Sequence, residues 1–130
     1  MNRPASVTKG VTLLYTAIVL AFLTALALSL SAVTHRPVQF RLARTIVMEV
    51  VVILIFLFLT YKIGQGVNWA RITMLVLVIL SVISKIVYSP LLFATSFMVG
   101  VSSVVVMILQ IIAMCFLFSK AARPWFGGVK

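Results

Sequence analysis

Residues 45–87 read TIVMEVVVILIFLFLTYKIGQGVNWARITMLVLVILSVISKIV. Two apolar runs, 45–61 and 72–87, flank a short polar turn. Each run approaches the about 20 residues a helix needs to cross a hydrocarbon core about 30 Å thick. Between them Gly64, Gly66 and Asn68 tolerate left-handed backbone angles, so the chain can reverse direction in very few residues. Two spanning helices joined this way are antiparallel neighbours. Asn68 is expected to cap the second of them. Trp69 and Arg71, on its first turn, are expected to sit at the interface as an aromatic anchor and a headgroup contact.

Similar runs at 11–33 and 98–118 complete a set of four. The expected fold is an all-α membrane protein, a four-transmembrane-helix bundle with short loops, forming a single integral membrane domain over residues 1–130. Composition agrees. Hydrophobic residues make up 64% of the chain and charged residues 9%, where a soluble domain is about half apolar and a quarter charged. So short a chain cannot hide that much apolar surface from water, and a lipid bilayer is its first partner.

The element boundaries follow from punctuation. Helix 1 is expected to start near Thr8 or Gly10, and Pro37 suits the first turn of a second helix running from near Val38 to about Lys62. Ser89-Pro90 is expected to end helix 3 near Tyr88. Helix 4 is expected to stop at Ser119-Lys120, with Trp125 as an interfacial anchor ahead of a frayed tail. Arg3, Lys9 and Ala27-Leu28-Ser29 imitate a secretion signal. The first apolar run nevertheless exceeds the about 7–15 residues of a signal core and is expected to be retained.

Eleven Lys and Arg against one acid give a formal charge of +10. Most of the basic residues lie at the ends of apolar runs, where lipid phosphates neutralise them, so nucleic acid is not an expected partner. With the termini inside, Arg3, Lys9, Lys62, Arg71, Lys120, Arg123 and Lys130 face inward, and Arg36, Arg41, Arg44 and Lys85 face outward. That asymmetry favours cytoplasmic termini.

No pattern for catalysis is present. Hydrolytic carboxylate pairs need two acids, and Glu49 is alone. His35 has no second acid to orient it in a nucleophile triad and reads as a loop residue. Cys115 has no neighbouring ligand residues, so no metal and no cofactor is expected. Gly64-Gln65-Gly66 is not followed by the Lys-Ser/Thr of a phosphate loop. The chain is expected not to be an enzyme.

Glu49 remains the most informative polar residue. A lone acid at membrane depth costs about 2.5–3.5 kcal/mol on insertion scales and needs a partner, a proton or water. Folding helices 2 and 3 about Gln65-Gly66 sets position 49 opposite about position 82, with Lys85 one turn further on and Ser81 and Ser84 nearby. Glu49 is therefore expected to form a buried ion pair with Lys85, shared with Arg44, or to act as a proton site. Ala17, Ala21, Ala25 and Ser29 recur every four residues, and Ser96, Gly100, Ser103, Met107, Gln110 and Met114 follow a seam spacing. Such faces let helices approach closely in lipid. They are expected to build the bundle interior, with an interface in a homo-oligomer as the alternative, and Gln110 is expected to hydrogen-bond to a neighbouring helix.

The stretch Lys62-Ile63-Gly64-Gln65-Gly66-Val67-Asn68-Trp69-Ala70-Arg71 resembles a signature of small bacterial four-helix inner-membrane proteins of unassigned function, in which a Gly-x-Asn-Trp-Ala-Arg turn joins spans two and three. Leu109-Gln110-Ile111-Ile112, Phe116-Leu117-Phe118 and Trp125-Phe126 resemble the tail of those proteins. The resemblance implies a bacterial inner membrane and four spans. Small multidrug exporters are similar in length and span number, but their membrane glutamate lies in the first span and this one lies in the second. Two functions are consistent with these residues. The first is a non-enzymatic bundle acting by helix–helix contact with another membrane protein, as an accessory subunit or a toxin-immunity protein. The alternative is a proton-coupled small-molecule carrier or channel, working as an oligomer and using Glu49.

Overall fold

A computed structural model describes residues 2–33 and 39–127, without the side chains of residues 31–33, 39–43, 45 and 95. His35, Arg36, Pro37, Lys130 and the expected helix start at Val38 lie outside the described residues, as does the side chain of Arg41. The elements are α1 (Ala5–Val33), α2 (Gln39–Gly64), α3 (Asn68–Thr95), α4 (Phe97–Leu117) and the short α5 (Arg123–Gly127). The first four are long and apolar enough to cross a membrane, over Ala5–Leu30, Ile46–Gly64, Asn68–Ala94 and Phe97–Leu117. The chain is therefore an all-α bundle of four membrane-length helices. α1 packs most extensively on α4 and also on α2, while α3 packs on α4 and α2. The helices thus form a ring in the order α1, α2, α3, α4.

α1 begins at Ala5, ahead of the expected Thr8 or Gly10. The preceding Pro4 presets a helical φ, and the Thr8 backbone N–H and Oγ1 both donate to the Pro4 carbonyl, at 3.1 and 3.3 Å. α2 runs to Gly64 and stops in a Schellman arrangement. The Val67 N–H donates to the Lys62 carbonyl (3.2 Å) and the Gly66 N–H to that of Ile63 (2.9 Å), with Gly66 at φ +86°. Asn68 is not the cap that its type suggests. Val67 occupies the cap position without a side-chain bond, and the Asn68 Oδ1 instead accepts from Arg71 Nη2 at 2.8 Å.

α3 does not end at Tyr88. It continues through Pro90 to Thr95. A proline deprives the carbonyl four residues back of its donor, and here that carbonyl belongs to Ile86. The Ser89 hydroxyl donates to the Ile86 oxygen at 2.8 Å, which re-satisfies it as membrane helices require. Ser89→Ala is expected to lower stability by about 1 kcal/mol in a detergent unfolding titration. In a Pro90→Ala background the same change is expected to have almost no effect, because the restored N–H takes over. Equal effects in both backgrounds would show that the hydroxyl has no such role.

Only Ser96, with extended backbone (φ −163°, ψ 132°), separates α3 from α4. A Cβ at Gly100 would overlap the Phe93 ring, so the missing side chain is what lets the two helices close at this turn. α4 stops at Leu117, short of Ser119, whose hydroxyl donates to the Phe116 carbonyl at 2.7 Å. The chain is helical again over Arg123–Gly127, where α5 buries Phe126, and Ala122 ahead of it is buried too; the end of the expected frayed tail, residues 128–130, lies outside the described residues.

The termini and the α2–α3 turn share one end of the bundle. Arg3 Nη2 donates to the Gly64 carbonyl at 2.7 Å, and Arg71 Nη1 to that of Leu117 at 3.3 Å. The core cluster occupies that same end: Val7, Val11 and Leu14 from α1, Leu59 and Ile63 from α2, Ala70, Met74 and Val78 from α3, and Ala113, Met114 and Leu117 from α4. α4 is the most enclosed helix, with 33% of its spanning window buried against 6% for α3. The many large apolar side chains left outside, such as Val47, Leu54, Ile83 and Val87, form an outer face with the apolar character of a membrane protein's exterior.

Candidate functional site

Beyond the core cluster the four helices do not fill the space between them. A cavity of about 1060 Å³ lies there, lined from every spanning helix. Its walls are mostly apolar, with Ile18 and Leu28 from α1, Val52 and Phe56 from α2, Leu77 from α3 and Val106 from α4. Set into those walls are Arg44, Glu49 and Lys85, together with Thr24, Ser81, Ser84, Ser103 and Gln110. The interior of a small helical bundle is the usual place for a ligand site built from facing helices.

Helix geometry explains how these groups meet. Counting about 1.5 Å per residue, Glu49 lies about 22 Å above Gly64 and Lys85 about 25 Å above Asn68, so the α2–α3 hairpin brings them to one level. Arg44 stands higher still and is exposed, marking the end of the cavity away from the termini. Glu49 and Lys85 are half-buried. Among the described residues no ion pair within 4.0 Å joins Glu49 to Lys85 or to Arg44. The expected salt bridge is thus replaced by three charged groups around one cavity, because the helices splay at this end and leave room between them.

Gln110 lies deeper, about 10 Å above Leu117 by the same rise. It is 6% exposed, and its Oε1 has no hydrogen-bond partner among the described residues. Among the described residues the expected bond to a neighbouring helix is missing for this atom, although the residue lines the cavity. Thr60, the other buried polar residue, is satisfied within its own helix, donating to the Phe56 carbonyl at 2.7 Å. An unpartnered buried amide oxygen costs roughly 1–3 kcal/mol. Among the described residues that line the cavity, it is the one buried side-chain atom left without a partner.

The other expected site residues divide by role. Ala17 and Gly100 are buried, while Ala21, Ala25, Ser29 and Ser103 are half-buried, and Ser29 bonds back to the Ala25 carbonyl at 2.9 Å. Ala21, Ala25 and Ser103 line the cavity, so small side chains here leave space as well as permitting close approach. Trp69 is exposed, as an interfacial residue would be. Arg71 is not directed outward. Its guanidinium lies between the rings of Phe118 and Phe126, 4.5 and 4.4 Å from their centroids. Trp125 is half-buried against the core and approaches Gly66 rather than standing at the surface. Sequence reasoning missed Thr24 as a wall residue and missed the Arg71 clamp. The aromatic residues Phe118 and Phe126 flanking a basic segment were the available signal for the clamp. Cys115 is exposed, and no cluster of three His, Cys, Asp or Glu residues occurs among the described residues.

Comparison with protein-family models, with curated proteins and with solved structures finds no match.

Proposed function

We propose that this chain is a non-enzymatic small-molecule carrier of a bacterial inner membrane, with both termini cytoplasmic and Glu49 as its titrating group. The observation that carries the reading is the cavity that places Glu49 with Lys85, Arg44 and Gln110 among apolar walls. Ionisable groups within spanning segments face cavities and pathways, since lipid offers them no partner. Cytoplasmic termini put the tightly filled end of the bundle inside and the open end outside. The cavity then faces the exterior, and solute passage requires the core cluster around Leu14, Ile63 and Met74 to part. The cavity is built within one chain, so the reading does not call for a second copy to complete it.

The reading as a partner-contact subunit or immunity protein draws on the small-residue faces. Ala17 and Gly100 are already covered within this chain, which leaves less of those faces for another membrane protein.

The test is reconstitution into vesicles holding a pH-sensitive dye, challenged with a panel of anionic, cationic and neutral solutes. Wild-type protein is expected to couple internal pH to at least one solute gradient, and Glu49→Gln to abolish that coupling. Coupled flux unaltered by Glu49→Gln would remove this residue from the mechanism. No coupling with any solute would end the carrier reading.

A further inference from the structure

The walls of the cavity specify a class of occupant. We infer that it receives an amphipathic organic anion: an anionic head between Arg44 and Lys85, an apolar body along α1–α4, and a hydroxyl-like polar group at the deep end beside Gln110. This rests on the reading that the bundle carries a small molecule, and it names the molecule's chemistry.

Charge comes first. Two cations and one carboxylate share the cavity, so with all three ionised one positive charge is unmatched. A cationic solute would have to approach Glu49 past Arg44 and Lys85. A neutral one would leave the excess positive charge of the lining without a counterion in the cavity. An anion removes it and gains charge-assisted hydrogen bonds. The deep end supplies an independent observation. Gln110 is more than nine-tenths buried and lines the cavity, so the occupant is expected to place a polar group, such as a hydroxyl, at that point. Length joins the two ends. On the helix rise, the Glu49–Lys85 level stands about 12–15 Å above Gln110, close to the span of an extended dodecyl chain. Between them the walls are Ile18, Val52, Phe56, Leu77 and Val106, which suit a hydrocarbon body and exclude an inorganic anion as a complete fit.

Glu49 then has a defined part. The groups facing it across the cavity are Arg44 on its own helix and Lys85 on α3. α1 and α4 contribute no charge among the described lining residues, only Thr24, Ser103 and Gln110. Ionised Glu49 competes with the ligand head for the two cations, and protonation ends the competition. Anion binding is therefore coupled to proton uptake, and affinity falls as pH rises.

The probe is radiolabelled ω-hydroxydodecanoate, bound to the full chain in phosphatidylcholine nanodiscs and corrected against empty discs. Binding is expected to saturate and to weaken with rising pH. Lys85→Met is expected to weaken it about tenfold or more, the loss of one charge-assisted bond, while Lys85→Arg retains it. Glu49→Gln should tighten binding and flatten the pH dependence. The wild-type preference for ω-hydroxydodecanoate over dodecanoate, roughly two- to tenfold for one hydrogen bond, should vanish in Gln110→Met. Retention in Lys85→Arg separates a lost contact from a lost fold. Replacing phosphatidylcholine with phosphatidylglycerol distinguishes the source: displacement identifies a lipid as the anion, and indifference a soluble solute. Either result keeps the anion site. Equal binding of dodecylammonium, or no saturable binding above empty discs, overturns it. Saturable anion binding without flux of any solute overturns the carrier reading alone. Glu49-dependent flux of a cation without anion binding overturns this inference alone.

Discussion

Arg71→Leu lowers the stability of the bundle by at least about 2 kcal/mol, the low end of the sum of what the guanidinium touches. Its face lies 4.5 Å from the Phe118 centroid and 4.4 Å from that of Phe126, and each cation–π contact contributes about 0.5–2 kcal/mol according to exposure. Its ends donate to Asn68 Oδ1 at 2.8 Å and to the Leu117 carbonyl at 3.3 Å. The second of these meets the unsatisfied end of α4, where a cation also favours the helix dipole. Nε has no partner, so the stabilisation comes from the two ends and the two faces. Arg71→Lys keeps the charge but loses the planar fork, and should recover less than half of the loss. Detergent unfolding titration reads the stability. Tryptic cleavage at Lys120, ahead of α5, reads whether α5 has come away. A lysine variant indistinguishable from wild type in both would reduce this residue to a headgroup contact.

That clamp shows where the sequence is silent. The placement of Arg71 at the start of a span is legible from the turn before it, and an interfacial role is the ordinary inference. Its inward direction depends on Phe118 and Phe126 arriving from 47 and 55 positions further along the chain, which no local pattern encodes. The hairpin itself is the opposite case. Gly66 adopts the left-handed angle that glycine permits, and the register it sets puts Glu49 and Lys85 at one level. Pro90 was misleading because the rule that proline ends a helix assumes that the freed carbonyl goes unsatisfied. Ser89 satisfies it, and α3 extends to Thr95.

The site was half legible. Single-residue reasoning finds Glu49, Lys85, Arg44 and Gln110, since a polar group in an apolar run always demands an explanation. It assumes that the groups meet in contact. Whether helices close or splay depends on side-chain volumes around the whole ring, and here the filled end and the open end follow different rows. Leu14, Leu59, Ile63 and Met74 fill one level, whereas Ala21, Ala25, Ser81, Ser84 and Ser103 leave the other open. Small residues read as contact positions thus create space wherever their opposite numbers are small as well.

The level at which α1 meets α4 can be tested through Gly10. A Cβ there would lie 2.8 Å from Leu117 Cγ, 3.0 Å from Leu117 Cδ2 and 3.2 Å from the Ala113 carbonyl oxygen. The leucine can move, but the carbonyl belongs to the backbone of α4 and cannot. Overfilling of this kind costs about 1–3 kcal/mol, while removing glycine from a helix returns about 1 kcal/mol. Gly10→Ala should therefore be close to neutral or mildly destabilising. Gly10→Val adds two further carbons at the same contact and should lose about 2–4 kcal/mol by pushing α1 off α4. Leu117→Ala should relieve part of the valine penalty but not the part owed to Ala113, so the double mutant stays below Leu117→Ala alone. Gly127→Val serves as a control, since nothing lies within 4 Å of a Cβ there. The same displacement should reach the cavity, because Ala21 and Ala25 of α1 face it along with Ser103 and Gln110 of α4. Gly10→Val is accordingly expected to weaken binding of an anionic probe although it touches none of the charged groups. Undiminished binding in a destabilised Gly10→Val protein would mean that the filled end and the open end of the bundle move independently.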